Sequence, residues 1–306
     1  MNARTFIALA LCLLAAERSW SATAEDKEIA RVKARVKKTA DKFYTVEYAT
    51  YTVKTDINPQ FTAETAVYMR KFQAAFRSFF KPEPKLKVRP IVYIFKDRAT
   101  YRKELTARGL KRLARAGGGY RGGKRRSQLF CYHNKPGTSF ASMRKDTVRH
   151  EGAHQLLSYI LGRHDIPVWF TEGVATFFEG WNVEKPRNWN IKRLKKTQTR
   201  FGVIRKTFGT DAFKNLSYLI GLNGDTWRPE NSKRLVMQHY AEAQSFMTFL
   251  LVSPRGREFF SRIFRAVAGG KDVSIMLTPK AISGAQSAWY KDIRNRIGPP
   301  KTIKRN

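Results

Sequence analysis

Residues 146–179 read DTVRHEGAHQLLSYILGRHDIPVWFTEGVATFFE. His150 and His154 stand four positions apart, one turn of an α-helix, so their imidazoles project from the same side. Ala153, Leu156, Leu157, Ile160 and Leu161 form a single apolar stripe with i, i+3, i+4, i+7, i+8 spacing, which predicts a helix over 146–161 with the histidines at the stripe's edge. Asp146 is the expected N-cap and Gly162 the expected stop. A second helix is predicted over 171–178, entered from Pro167 and ended by Gly180. Glu172 falls in its first turn, eighteen positions after His154. A chain returning through Gly162 and Pro167 can aim that carboxylate at the two imidazoles.

The pattern H-E-x-x-H on a helix pairs two neutral imidazoles with a carboxylate beside the metal's open position. A catalytic zinc needs a third protein ligand and a place for water. Glu172 is the candidate third ligand and Glu151 the candidate base. A chance match would leave two histidines merely hydrogen-bonded at a core boundary; the downstream segment argues against it. Glu179, seven residues after Glu172 on the same face, is a group behind the ligands, a substrate contact or a rival ligand. A fourth protein ligand such as Glu179 in place of water would make the metal structural. His164 and Asp165 read as solvated loop residues. His133 and His239 complete the histidines, and Cys131 reads as a buried strand residue.

On these residues the sequence resembles the gluzincin metallopeptidases of the MA clan. It is similar to the aminopeptidase N-type branch and to a group of secreted bacterial peptidase-MA-like domains. The shared motifs are His150-Glu151-Gly152-Ala153-His154 and Trp169-Phe170-Thr171-Glu172-Gly173-Val174-Ala175, matching the family's Trp, two residues, Glu-Gly, one residue, Ala. The resemblance implies that His150, His154 and Glu172 bind Zn2+ and that Glu151 is general base and acid. It implies a zincin-like α+β fold, a small N-terminal mixed sheet plus a helical C-terminal part around an active-site cleft. Weaker likeness appears in Tyr51-Thr52-Val53-Lys54-Thr55-Asp56 and in the strand Pro90 to Phe95 followed by Lys96-Asp97-Arg98-Ala99-Thr100-Tyr101. Tyr240, in His239-Tyr240-Ala241-Glu242-Ala243, is similar to a tyrosine that stabilises an oxyanion; a core aromatic is the other reading. The likeness spans about residues 43–297, and its specific part is 150–179.

Aminopeptidases of this type hold the substrate's ammonium with an acidic residue upstream of the metal helix. Here that region is Gly117-Gly118-Gly119-Tyr120-Arg121-Gly122-Gly123, with no carboxylate. The expectation is an endopeptidase-like cleft, or one suited to substrate carboxylates. The glycine-rich stretch is either a hairpin beside an edge strand that pairs with extended peptide or a plain turn.

The rest of the chain sets the context. The 306 residues carry 59 Lys and Arg against 24 Asp and Glu, a net charge of +35, with 42% hydrophobic residues. That apolar content excludes wholesale disorder, and no collagen or heptad period appears. Residues 1–24 (MNARTFIALALCLLAAERSWSATA) have the form of a signal peptide: Arg4, an apolar run from Thr5 to Ala16, and Ala22-Thr23-Ala24 for cleavage. The apolar run is short of the ~20 residues a spanning helix needs. A secreted or periplasmic chain without a transmembrane segment is expected. Cleavage would leave Cys131 as the only cysteine, so no internal disulfide.

The expected organisation is a signal peptide (1–24), a charged helical lead-in (25–40) and a metallopeptidase domain (41–300), its sheet part 41–145 and its helical part 146–300. Strands are expected around 43–53, with a phase slip near Ala49, and at 88–95 and 127–132. Helices are expected at 61–80, 100–116, 232–251, 256–268 and 285–297. Residues 185–230 read as irregular. From Leu105 to Lys145 there are eleven Lys or Arg and no acid; from Lys185 to Thr210 there are nine and again none. A basic surface suits an anionic envelope; a positive cleft suits acidic peptides or anionic envelope polymers. No nucleic-acid motif is present, and export makes that partner unlikely. The reading that follows is a secreted zinc peptidase; the alternative is a basic envelope-binding protein on a peptidase-like fold with little turnover.

Overall fold

A computed structural model describes residues 24–80, 88–123, 126–134, 139–162, 166–180, 183, 199–230, 232–271 and 278–297. Residues 1–23 of the expected signal peptide (1–24), with His164 and Asp165, lie outside them. The fold is mixed α+β, with an N-terminal six-stranded sheet and a helical C-terminal part. Strands β1 (Lys37–Lys38), β2 (Tyr44–Tyr48), β3 (Tyr51–Thr55), β4 (Ile91–Phe95), β5 (Gly119–Gly123) and β6 (Arg126–Tyr132) line up in the order β1-β2-β3-β4-β6-β5.

The described residues group into two compact units. The first takes the described residues up to Lys71, then Arg89–Gly117 and Phe130–Met143; the second takes the described parts of Phe72–Val88, Gly118–Leu129 and the chain from Arg144 onward.

In the first unit the phase slip is a turn. β2 and β3 pair antiparallel with Tyr48 opposite Tyr51, and Ala49 between them takes the left-handed conformation (φ 49°). β3 and β4 pair parallel, Val53 opposite Val92. Parallel neighbours need a long crossover, and the connection here carries helix α2 (Pro59–Arg77). Phe43, Tyr93, Phe95, Tyr101, Leu105 and Phe130 pack as one buried cluster. The single basic helix expected over 100–116 is instead two, α3 (Arg98–Ala107) and α4 (Lys111–Ala114). Gly109, at φ 73°, breaks the helix, the Leu110 amide bonds back to the Leu105 carbonyl, and Tyr101 donates to the Leu113 carbonyl at 2.8 Å. The charged lead-in is helical only over 24–33, as helix α1, before β1. Val32 in it is buried, and Glu28 pairs with Arg70 at 2.8 Å.

In the second unit the two metal-motif helices are α5 (Lys145–Leu161) and α6 (Val168–Glu179). Gly162, left-handed at φ 64°, closes α5 as expected. Asp146 is not its N-cap: Arg144 holds that place without a side-chain cap, and Asp146 sits in the first turn. Nor does α5 bury only one stripe. Ala153, Leu156 and Leu157 are buried, but so are Gln155 and Ser158. Gln155 donates to the Ser127 carbonyl at 3.2 Å, and Ser158 bonds Tyr120 at 2.7 Å. Hydrophobic periodicity misses this second face because its partners are polar groups of β5 and β6. The glycine-rich stretch is β5 itself, the terminal strand of the sheet.

Further helices follow: α7 (Thr199–Thr207), α8 (Leu216–Gly221), α9 (Gly224–Trp227), α10 (Lys233–Val252), α11 (Pro254–Ala268) and α12 (Pro279–Ile297). The described part of 185–230 is therefore largely helical, where the sequence suggested irregular chain. Its helices are short and set by caps, such as Asn223 accepting from the Thr226 amide, so no long apolar period marks them. α6 lies tight on α10. A side chain at Gly173 would bring a Cβ 3.1 Å from the Ala243 carbonyl oxygen, which explains the glycine directly after Glu172. Phe178 packs on Phe72 and Phe76, Trp169 on Phe246, and Phe246 on Trp289. No helix among the described residues is long and apolar enough to cross a membrane.

Candidate metal centre

His150, His154 and Glu172 converge in the second unit and form a group able to hold a metal ion. The Nε2 atoms of the two histidines are 3.1 Å apart. Glu172 Oε2 is 3.3 Å from one and 3.5 Å from the other. Three ligands bonded at 2.0–2.1 Å around a tetrahedral ion stand about 3.3 Å from one another, so the donors already match the edges of such a coordination shell. Glu172 Oε2 is buried and has no hydrogen-bond partner among the described residues. A buried carboxylate oxygen with no hydrogen bond is costly; a cation between it and the two imidazoles, displacing the proton that the neighbouring carboxylates favour on His150, would remove that cost. On chemistry and spacing, the residues fit a dication.

The atoms behind the ligands aim them. His150 Nδ1 meets Glu179 Oε1 at 2.6 Å. A carboxylate only accepts, so Nδ1 carries the hydrogen and Nε2 turns to the cluster. His154 Nδ1 is held by the Thr171 hydroxyl at 2.8 Å. Arg149, on α5, donates from Nε to the Phe178 and Glu179 carbonyls at 2.9 and 3.1 Å, fixing the end of α6 where Glu179 faces His150. Arg200 pairs with the other Glu179 oxygen. Glu179 thus supports a ligand and is no member of the converging group. Glu179→Gln is expected to weaken metal binding about 10–100-fold, read by competition with a chromogenic chelator.

Charges around the cluster respond to burial and to one another. Burial alone would lower the His150 imidazole, but the Glu172 and Glu179 carboxylates outweigh it and lift it to about 10. Burial pushes Glu172 up, yet the two imidazoles hold it well below the ordinary carboxylate range. Glu151 is raised, chiefly by burial. It lies on α5 directly after His150, 9% exposed, and makes no hydrogen bond among the described residues.

Tyr240, on α10, also reaches the centre. Its ring lies 6.5 Å from the His150 ring. Arg228 donates from Nη2 to the Tyr240 hydroxyl at 2.6 Å and to Glu172 Oε1 at 3.3 Å. Arginine has no acceptor, so the phenol oxygen accepts and its hydrogen is free to point elsewhere. Burial and the Glu172 charge push the phenol up to about 12, which keeps that hydrogen in place near neutral pH. Arg200 stacks over the same ring at 5.3 Å.

Arg228, Arg200 and Thr171 are site residues that sequence reasoning missed. Thr171 was visible as the neighbour of Glu172 in the second motif; the arginines carry no periodic signal. Two other described histidines make contacts elsewhere: His239 bonds the Trp227 carbonyl and the Tyr218 hydroxyl, and His133 Nε2 lies within reach of the Ser139 carbonyl and the Ser142 hydroxyl. Cys131, on β6, is buried.

Fold and cluster together define a mixed α+β protein with a candidate His-His-Glu metal centre. Residues 145–271, which run from α5 through α11 and hold every residue of the cluster, match the family described as protein of unknown function (DUF1570). No curated protein matches the chain.

Proposed function

We propose that this protein is a secreted zinc peptidase of the gluzincin type that cuts within peptide chains. The observation that carries the proposal is the three donors of His150, His154 and Glu172 at mutual distances of 3.1–3.5 Å, one of them a buried oxygen with no other partner. Two imidazoles and one carboxylate with an open position are the donor set of catalytic zinc. Zinc held there would act as a Lewis acid that polarises a carbonyl and lowers the pKa of a water toward ~7. Glu151, uncommitted and raised by burial, takes the proton from the attacking water and hands it to the leaving amine. Tyr240 donates its free hydrogen to the oxyanion that develops on the carbonyl. β5, at the sheet's edge, brings no carboxylate to hold a substrate ammonium, which supports internal cleavage over trimming from the N-terminus.

Export is part of the proposal and rests on residues 1–24. The charge of +35 also supports a second reading, binding to anionic envelope polymers with little turnover. Glu151 favours catalysis, since a binding module has no use for an uncommitted buried carboxylate there. Purified protein loaded with zinc and incubated with a denatured protein should produce new internal termini by mass spectrometry, and a chelator should stop it. One bound zinc with no cleavage would replace the peptidase by the binding protein. Release of single N-terminal residues would overturn the endopeptidase assignment.

A further inference from the structure

We propose that Arg228 and Arg200 make this centre select peptides that carry a carboxylate beside the bond being cut. The inference rests on the peptidase reading above and names its substrate class.

Three carboxylates gather at the cluster, those of Glu151, Glu172 and Glu179, and two guanidiniums oppose them directly, Arg228 at Glu172 and Arg200 at Glu179. A dication held between the imidazoles tips this balance to net positive. The net charge of +35 adds a positive background that favours an incoming anion.

Arg228 also has donors to spare. A guanidinium offers five N–H groups in a planar fork suited to a carboxylate. Arg228 uses Nη2 on Glu172 and Tyr240; its Nε and Nη1 have no partner among the described residues. A residue that only neutralised Glu172 would be buried with it. Instead the Arg228 side chain is 54% exposed while the Glu172 side chain is 10% exposed. Its unused donors therefore face solvent at the rim of the metal site, beside the phenol of Tyr240. Arg200, paired with Glu179 and lying over the Tyr240 ring, adds positive charge beside those donors, while its own Nε is buried. A neutral amide leaves these donors unpaired; a lysine on the substrate meets like charge.

The carboxylate can come from an acidic side chain or from the chain's C-terminus. The test uses zinc-loaded protein and three forms of one N-acetylated peptide: C-amidated with a central Asp, C-amidated with Asn in its place, and the Asn peptide with a free C-terminus. One or both carboxylate peptides should be cut with kcat/KM about tenfold or more above the Asn amide, the preferred arm naming the source. R228Q should bring the ratio close to one, R228K should keep part of it, and added salt should shrink it in the wild type. Calorimetry of the same peptides on zinc-loaded E151Q should show the same ordering in Kd without turnover. Equal cleavage and equal binding of all three peptides would overturn the inference and leave the peptidase reading standing. Cleavage and binding of none, with zinc in place, would bring down both.

Discussion

Replacing Glu151 by Gln will leave one zinc per chain in place and lower peptide hydrolysis by roughly 10²–10⁴-fold. Glu151 is not among the converging donors, so metal content should not move. Glutamine has nearly the same shape, so the packing of α5 against its neighbours should survive. What disappears is proton transfer. Burial raises the Glu151 carboxyl, and a carboxylate less stabilised by water is a stronger base for a water proton. Metal content by atomic absorption together with kcat/KM on one peptide makes the measurement. Wild-type turnover in zinc-loaded E151Q would remove Glu151 from the mechanism.

Truncating His154 or Glu172 to Ala will cost far more metal affinity than Glu179→Gln, because each removes a donor and not its support. In the wild type, zinc held by His150, His154 and Glu172 would bind only the native arrangement of the two helices. At a free concentration of 100 Kd it should stabilise the fold by about 2.7 kcal/mol, seen as a rise in thermal midpoint that both variants lack. Glu172→Ala also strips Arg228 of its carboxylate and leaves the buried His150 with one acidic partner fewer, so this variant should unfold earlier even without zinc. Binding should depend on pH with a definite sign. His150, lifted to about 10, holds a proton at neutral pH, and zinc must displace it. Apparent affinity should then rise by about tenfold per pH unit from pH 7 to 9, one proton released per ion. An H154A protein that binds zinc as tightly as the wild type, or an affinity flat with pH, would contradict the assigned donor set.

The helix pair was legible because its signals are local. Gly162 and Gly180 stop the helices, an i, i+4 pair shares a face whatever surrounds it, and Glu172 needs only a short return loop to come back to the imidazoles. The strands around Ala49 were equally readable, since alternation along a strand reports its own two faces. Local signals failed where an element's partner is polar or far away. α5 buries Gln155 and Ser158 against β5 and β6, which a hydrophobic stripe cannot reveal. Gly109 divides a basic segment that looked like one continuous helix.

By itself, then, the sequence determined the candidate donors: which two histidines share a helix face and which carboxylate begins the next helix. Tertiary structure alone decided how those donors are tuned. Glu179 stands behind His150, and Arg228, separated from Glu172 by 56 positions, bridges it to Tyr240. A guanidinium in a short capped helix region has no period or spacing that announces its partner. Only the packing of α6 and α10, close enough to require glycine at 173, brings those charges together.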